Sequence, residues 1–277
     1  MFARVTGAAM RGILVALMVA TPSLLLPSYT SESPEMIALL AILAAVLTFA
    51  EYNTAFPSFI EFRDAPPLNR LRFVALFSMF LVLSLIALHR YEPSALTTLA
   101  AGLGGMIGYY TDFPYSPVHL VILMLPEDAS VQLVDNVRIA AGVSYVIALL
   151  AILAFLFSLK VMGWPTHRGP FNVWVNLPLF DPTTGGDVVV RMQRDGKVNI
   201  IVGFLLPFIV PAVVKLAADY VNPIKLDDPQ TLIWAISAWA FLPASMVMRG
   251  VAMARIAELI EEKRRRVYAN AEAAQTA

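Results

Sequence analysis

The side chains that could do chemistry in this chain are few, and their spacing does not gather them into one obvious site. There are three imidazoles, His89, His119 and His167, each in a different segment. A bis-histidine haem or a His-rich metal centre needs ligands brought together from one or two elements, so neither is indicated. The chain has no cysteine, which removes thiolate metal sites and disulfides. GxSxG, HExxH and a phosphate-cradling glycine loop are also missing from the sequence. Glu261, Glu262 and Arg266 fit a Glu-Glu-x-x-x-Arg string, but they lie in a polar tail with no histidine beside them.

Two constellations remain as candidate sites. The first is Tyr109, Tyr110, Asp112, Tyr115 and His119, a pore- or ligand-binding set if their segment dips into a membrane. Irregular backbone survives at that depth only when it is buried in protein or lines a wet cavity. If the segment stays shallow, Asp112 is an interfacial anion flanked by belt tyrosines. The second set is Glu51, Asn53, Glu61, Arg63 and Asp64, with Phe and Pro interleaved, which reads as a self-paired loop or as a docking face. Trp174 and Phe180 in a later segment are further docking candidates.

The elements that must position these groups follow from hydropathy. Hydrophobic residues make up 58% of the 277 and charged ones 14%, and the mean hydropathy is +0.70; together they place the chain among integral membrane proteins. Six apolar runs stand out: Gly12–Leu26, Met36–Ala50, Phe73–Leu88, Ile139–Val161, Ile200–Val214 and Leu232–Met248. A crossing helix needs roughly 20 such residues, and the flanks of these runs supply the remainder. The first run also looks like a signal peptide, but its length favours an uncleaved first helix.

A further apolar region, Ser94–Pro126, decides the topology. Its first part is long enough to span, covering about 25 Å as helix, whereas VHLVILMLP is too short. A re-entrant pair or short-helix hairpin leaves both chain termini on one side. In that arrangement only Arg90, Arg138, Lys215 and Lys225 of the 20 basic residues fall outside. Positive residues favour cytoplasmic loops, so the hairpin arrangement is preferred, with both termini cytoplasmic in a bacterial inner (plasma) membrane. Pro207, Pro211 and Pro243 predict kinks in the last two spans.

The expected fold is thus an all-α integral membrane bundle of six spans plus the 94–126 hairpin, divided as 1–162, 163–199, 200–248 and 249–277. The piece at 163–199 carries β-formers at Phe171–Val175 and Asp187–Arg191, with turn residues in DPTTGG and RDGK. It is read as a small cytoplasmic β-ribbon, whose Phe171, Trp174, Leu177, Leu179 and Phe180 require a surface to pack on. The last piece reads as a helix with Lys263–Arg266 anchored near the headgroups, or as one that pairs with a second copy or a partner.

Three functions remain open. Apolar spans without charge favour a non-catalytic subunit, scaffold or assembly factor of a larger membrane complex. A channel or facilitator would use the 94–126 hairpin, and Asp112→Asn should impair it. An enzyme acting on a lipid or isoprenoid would have to recruit Glu51, Glu61, Arg63 and Asp64. The expected partners are the lipid bilayer and either further copies or other membrane subunits. The residues name no cofactor, and zero formal charge gives no basis for nucleic-acid binding.

Overall fold

The computed structural model describes residues 2–27, 34–165, 171–181, 185–217 and 226–276. Among them the chain is all-helical: α1 (Phe2–Leu25), α2 (Pro34–Asn53), α3 (Leu68–Leu88), α4 (Ala95–Thr111), α5 (Pro117–Leu123), α6 (Val131–Val161), α7 (Val173–Asn176), α8 (Val188–Ala217) and α9 (Pro229–Thr276). Six of these (α1, α2, α3, α6, α8 and α9) are long and apolar enough to cross a membrane, as the six apolar runs require. α3, α6 and α9 pack against one another as the centre, α1 packs on α3, and α2 and α8 lie outermost on α1 and α9.

Contacts at the helix ends sort into two groups. At one end Arg11 stacks on Tyr52, Glu61 pairs with Arg249, Arg72 reaches the Ser245 carbonyl and Arg264 pairs with Asp187. At the other end Gln230 meets Ser23, Arg90 meets Asn136 and Lys215 meets the Leu125 carbonyl. The first, basic end therefore holds the start of α1 and the later part of α9. The second end carries α4 and α5.

Small residues set how closely the helices approach. A Cβ on Gly250 of α9 would lie 2.5 Å from the Gly196 carbonyl oxygen of α8, and one on Gly203 would lie 2.7 Å from that of Pro243. Seven residues forward along α8 thus match seven backward along α9, the mark of an antiparallel pair held in one register. On the other side of the bundle, a Cβ on Gly12 would meet the Ala45 carbonyl oxygen at 2.8 Å. Small residues at such crossings let backbones pack without a side chain between them.

The expected β-ribbon is not found: among its described residues there is no strand. Asp187 instead caps α8, accepting the Val189 amide at 2.7 Å. That bond, together with Arg264, holds its carboxyl below the ordinary range. The three valines after it form the first turn of α8, and Arg194–Lys197 lie inside the helix rather than in a turn. Tertiary packing overrides local propensity here, because Gly196 is needed against Gly250 rather than at a positive φ. His167, Arg168 and the Pro182–Thr184 part of the proposed turn lie outside the described residues.

Candidate functional site

Each candidate set lies at a different end of the bundle. At the end opposite the basic one, α4 starts from Ser94, whose hydroxyl accepts the Thr97 amide while Thr97 returns a bond to the Ser94 amide. This capping box fixes where the helix begins. α4 then crosses α6 at Gly108, where a Cβ would lie 3.0 Å from the Ile139 Cα, while one on Gly142 would lie 2.8 Å from the Gly108 Cα. The crossing delivers Asp112, the last cap of α4, to Arg138. The α4–α5 turn thus sits at the level of the first turns of α6, beside the Arg90–Asn136 contact.

Both carboxylate oxygens of Asp112 are engaged. Oδ1 lies 2.6 Å from His119 Nδ1, and Oδ2 accepts Arg138 Nε at 2.8 Å. Arg138 also donates to Asp135 at 2.7 Å. Burial raises the Asp112 pKa, but the bonds from Arg138 and His119 outweigh it and hold the carboxyl below its usual range. A carboxylate orienting an imidazole is half of a hydrolase relay. The adjacent Thr111 hydroxyl is turned back onto the Ile107 carbonyl, and Ser116, the serine nearest His119 in sequence, is buried as the cap of α5, accepting the His119 amide at 3.0 Å. Tyr109, Tyr110 and Tyr115 are 74%, 73% and 88% exposed, so they face outward and do not wall in Asp112.

At the basic end the second set is turned inward. Glu51, 5% exposed, ends α2 and accepts the amides of Ser58, Phe59 and Ile60 at 2.9–3.2 Å. Arg63 closes the same loop by donating to the carbonyls of Glu51 and Thr54, and its Nε lies 3.4 Å from Asp64, which points to solvent. Glu61 is buried and takes Arg249 in two bonds of 2.5 and 2.7 Å. Arg72 donates to Asn69 and to the Ser245 carbonyl. Asn53 keeps a buried side-chain oxygen that has no hydrogen-bond partner among the described residues.

The segment after α6 docks on this loop. Trp164 donates to the Ala65 carbonyl at 3.1 Å, and Asn176 accepts the amides of Phe62 and Asp64. Phe62, with φ 55°, is fully buried beside Trp164 and Phe171. Leu177 and Phe180 are buried as well, with Arg191 over the Phe180 ring. Leu179 stays exposed. Trp174 belongs to α7 by its backbone, and its side chain lies outside the described residues. The apolar residues of the insert thus pack on the end of their own bundle.

Sequence reasoning missed Trp164, Asn69 and Asn176. Trp164, between Gly163 and Pro165, sits in a fixed turn that the flanking residues could have flagged; the two asparagines carry no signal. His89 contacts Thr97 at 3.3 Å. Among the described residues no group of three His, Asp or Glu side chains could hold a metal. The chain matches no known family model, and comparison with curated proteins and with solved structures finds no similar one.

Proposed function

We propose that this chain is a non-catalytic multi-pass subunit, scaffold or assembly factor of a larger complex in the inner (plasma) membrane, with the basic end facing the cytoplasm. The observation that carries the reading is the reach of α9. It runs 48 residues, roughly 70 Å at about 1.5 Å per residue, more than twice what a crossing requires. Its apolar stripe is covered by the bundle as far as Ile256 and Ala257 and partly at Leu259 and Ile260, but Val267 and Tyr268 are 57% and 69% exposed. A solvent-side helix carrying uncovered apolar and aromatic residues suits a partner. At the basic end of the bundle, Asp64, Arg70, Phe171 and Asn172 line an open recess of about 550 Å³.

The interior supports the same reading. Among the described residues, the polar side chains with no exposure at all are the serines Ser84, Ser144 and Ser237, within α3, α6 and α9. Transport pathways usually show as ionisable residues inside spans, and the Asp112 carboxylate on which a channel reading rests is already paired. The cytoplasmic assignment of the basic end rests on the positive-inside bias.

The test is gentle extraction from the native membrane followed by native mass measurement. A stable assembly containing other polypeptides is expected. Recovery as a single chain, or only as copies of itself, overturns the proposal.

A further inference from the structure

At the end opposite the basic one, α3, α6 and α9 part to leave a cavity of about 170 Å³, with Ala101 of α4 on one side. Its floor is apolar, made by Leu83, Ile86, Ala140, Leu232 and Ile233. Its rim is polar and carries both signs of charge, with Arg90 from just after α3 and Asp227 from just before α9. Among the described residues the Arg90 side chain has one hydrogen bond, to Asn136, which leaves most of its N–H donors for a ligand. Asp227 is exposed and makes no ion pair among the described residues. The rim's other carboxylate, Asp135, is taken by Arg138.

This combination narrows the ligand. A cavity of about 150 Å³ takes a benzene ring, so the floor accepts an apolar body of six or seven heavy atoms. A neutral hydrocarbon would leave the charged rim unused. A purely cationic head would face Arg90, and a purely anionic one would face Asp227. We infer that the cavity binds a small zwitterion with an apolar body, its anionic group toward Arg90 and its ammonium toward Asp227. Free amino acids with apolar side chains have this chemistry. Each charge-assisted bond supplies orientation, and the floor supplies burial.

Three probes that share a benzyl group dissect the site: L-phenylalanine, phenethylamine and 3-phenylpropanoate. Binding of each is titrated by calorimetry on the whole chain in lipid nanodiscs. L-phenylalanine should bind about tenfold or more tighter than either singly charged analogue. Asp227→Asn should bring it down to the level of 3-phenylpropanoate, and Ala140→Phe, which fills the floor, should abolish all three. Failure of all three probes on the unsubstituted chain overturns the site. Equal affinities, or a preference for a singly charged analogue, overturn the zwitterion assignment. If Ala140→Phe does not fold, the Asp227→Asn comparison decides alone.

Discussion

The indole Nε1 of Trp239 donates to the Pro207 carbonyl across the α8–α9 contact at 3.2 Å. Pro211 lies four residues further along α8, and having no N–H it leaves that carbonyl without its helical partner. In a span, where water is excluded, a freed carbonyl must be met by a neighbouring side chain. Trp239 does this at the position where the seven-residue register of Gly196–Gly250 and Gly203–Pro243 continues by one more turn. Trp239→Phe should therefore cost about 0.5–2 kcal/mol. Most of that cost should vanish in a Pro211→Ala background, where residue 211 supplies the missing donor. Thermal unfolding of the four chains of this cycle checks the coupling.

The glycine contacts divide into tight and open positions. Gly250→Ala would set a methyl 2.5 Å from the Gly196 oxygen, whereas a Cβ on Gly102 has nothing within 4 Å. Gly250→Ala is expected to destabilise by about 1–3 kcal/mol through overpacking. Gly102→Ala should be neutral or stabilising by up to about 1 kcal/mol through helix propensity. Melting temperatures of both variants under one lipid condition give the comparison.

Asp112 predicts an acid limit. Its pKa is lowered in the folded chain, so its contribution is complete above the unfolded value, near 4, and is lost as pH falls through the folded value. Stability measured from pH 6 downward should fall off below about pH 4. Asp112→Asn should flatten that part of the profile by removing the titrating group. An unchanged acid slope in the variant would exclude Asp112 as its source.

Glu61 sits against Arg249, with Arg72 near both. Glu61→Gln leaves two guanidinium groups without their anion at a largely buried site. A loss of about 3–5 kcal/mol is expected. The double substitution Glu61→Leu with Arg249→Met should lose less than Glu61→Gln alone, since it removes the pair rather than orphaning one side. Unfolding of the three variants distinguishes a required ion pair from an exchangeable one.

How much could be read beforehand depended on whether the signal was local. The six spans were legible because hydropathy over some 20 residues is a property of each segment alone. The division of 94–126 into a 17-residue helix and a 7-residue one follows from the lengths of its two apolar parts. The ribbon at 163–199 was misread, since Val188–Val190 and Arg194–Lys197 carry strand and turn preferences that are overruled by Gly250, more than 50 positions away in sequence. Glu51, Glu61 and Phe180 were visible as candidates, but their burial was not. Their partners are backbone amides, Arg249 and Arg191, and only the folded chain brings these together.

As a subunit of a larger complex, the proposed role, the chain would meet another protein through the far part of α9. The most direct test places a photo-crosslinking benzophenone amino acid at Tyr268 and irradiates membranes of the native host, with Leu153, exposed on α6, as the control. An adduct from position 268 to a different polypeptide, and none from position 153, is the expected result. No adduct from position 268, or adducts only to a second copy of the chain, would contradict it.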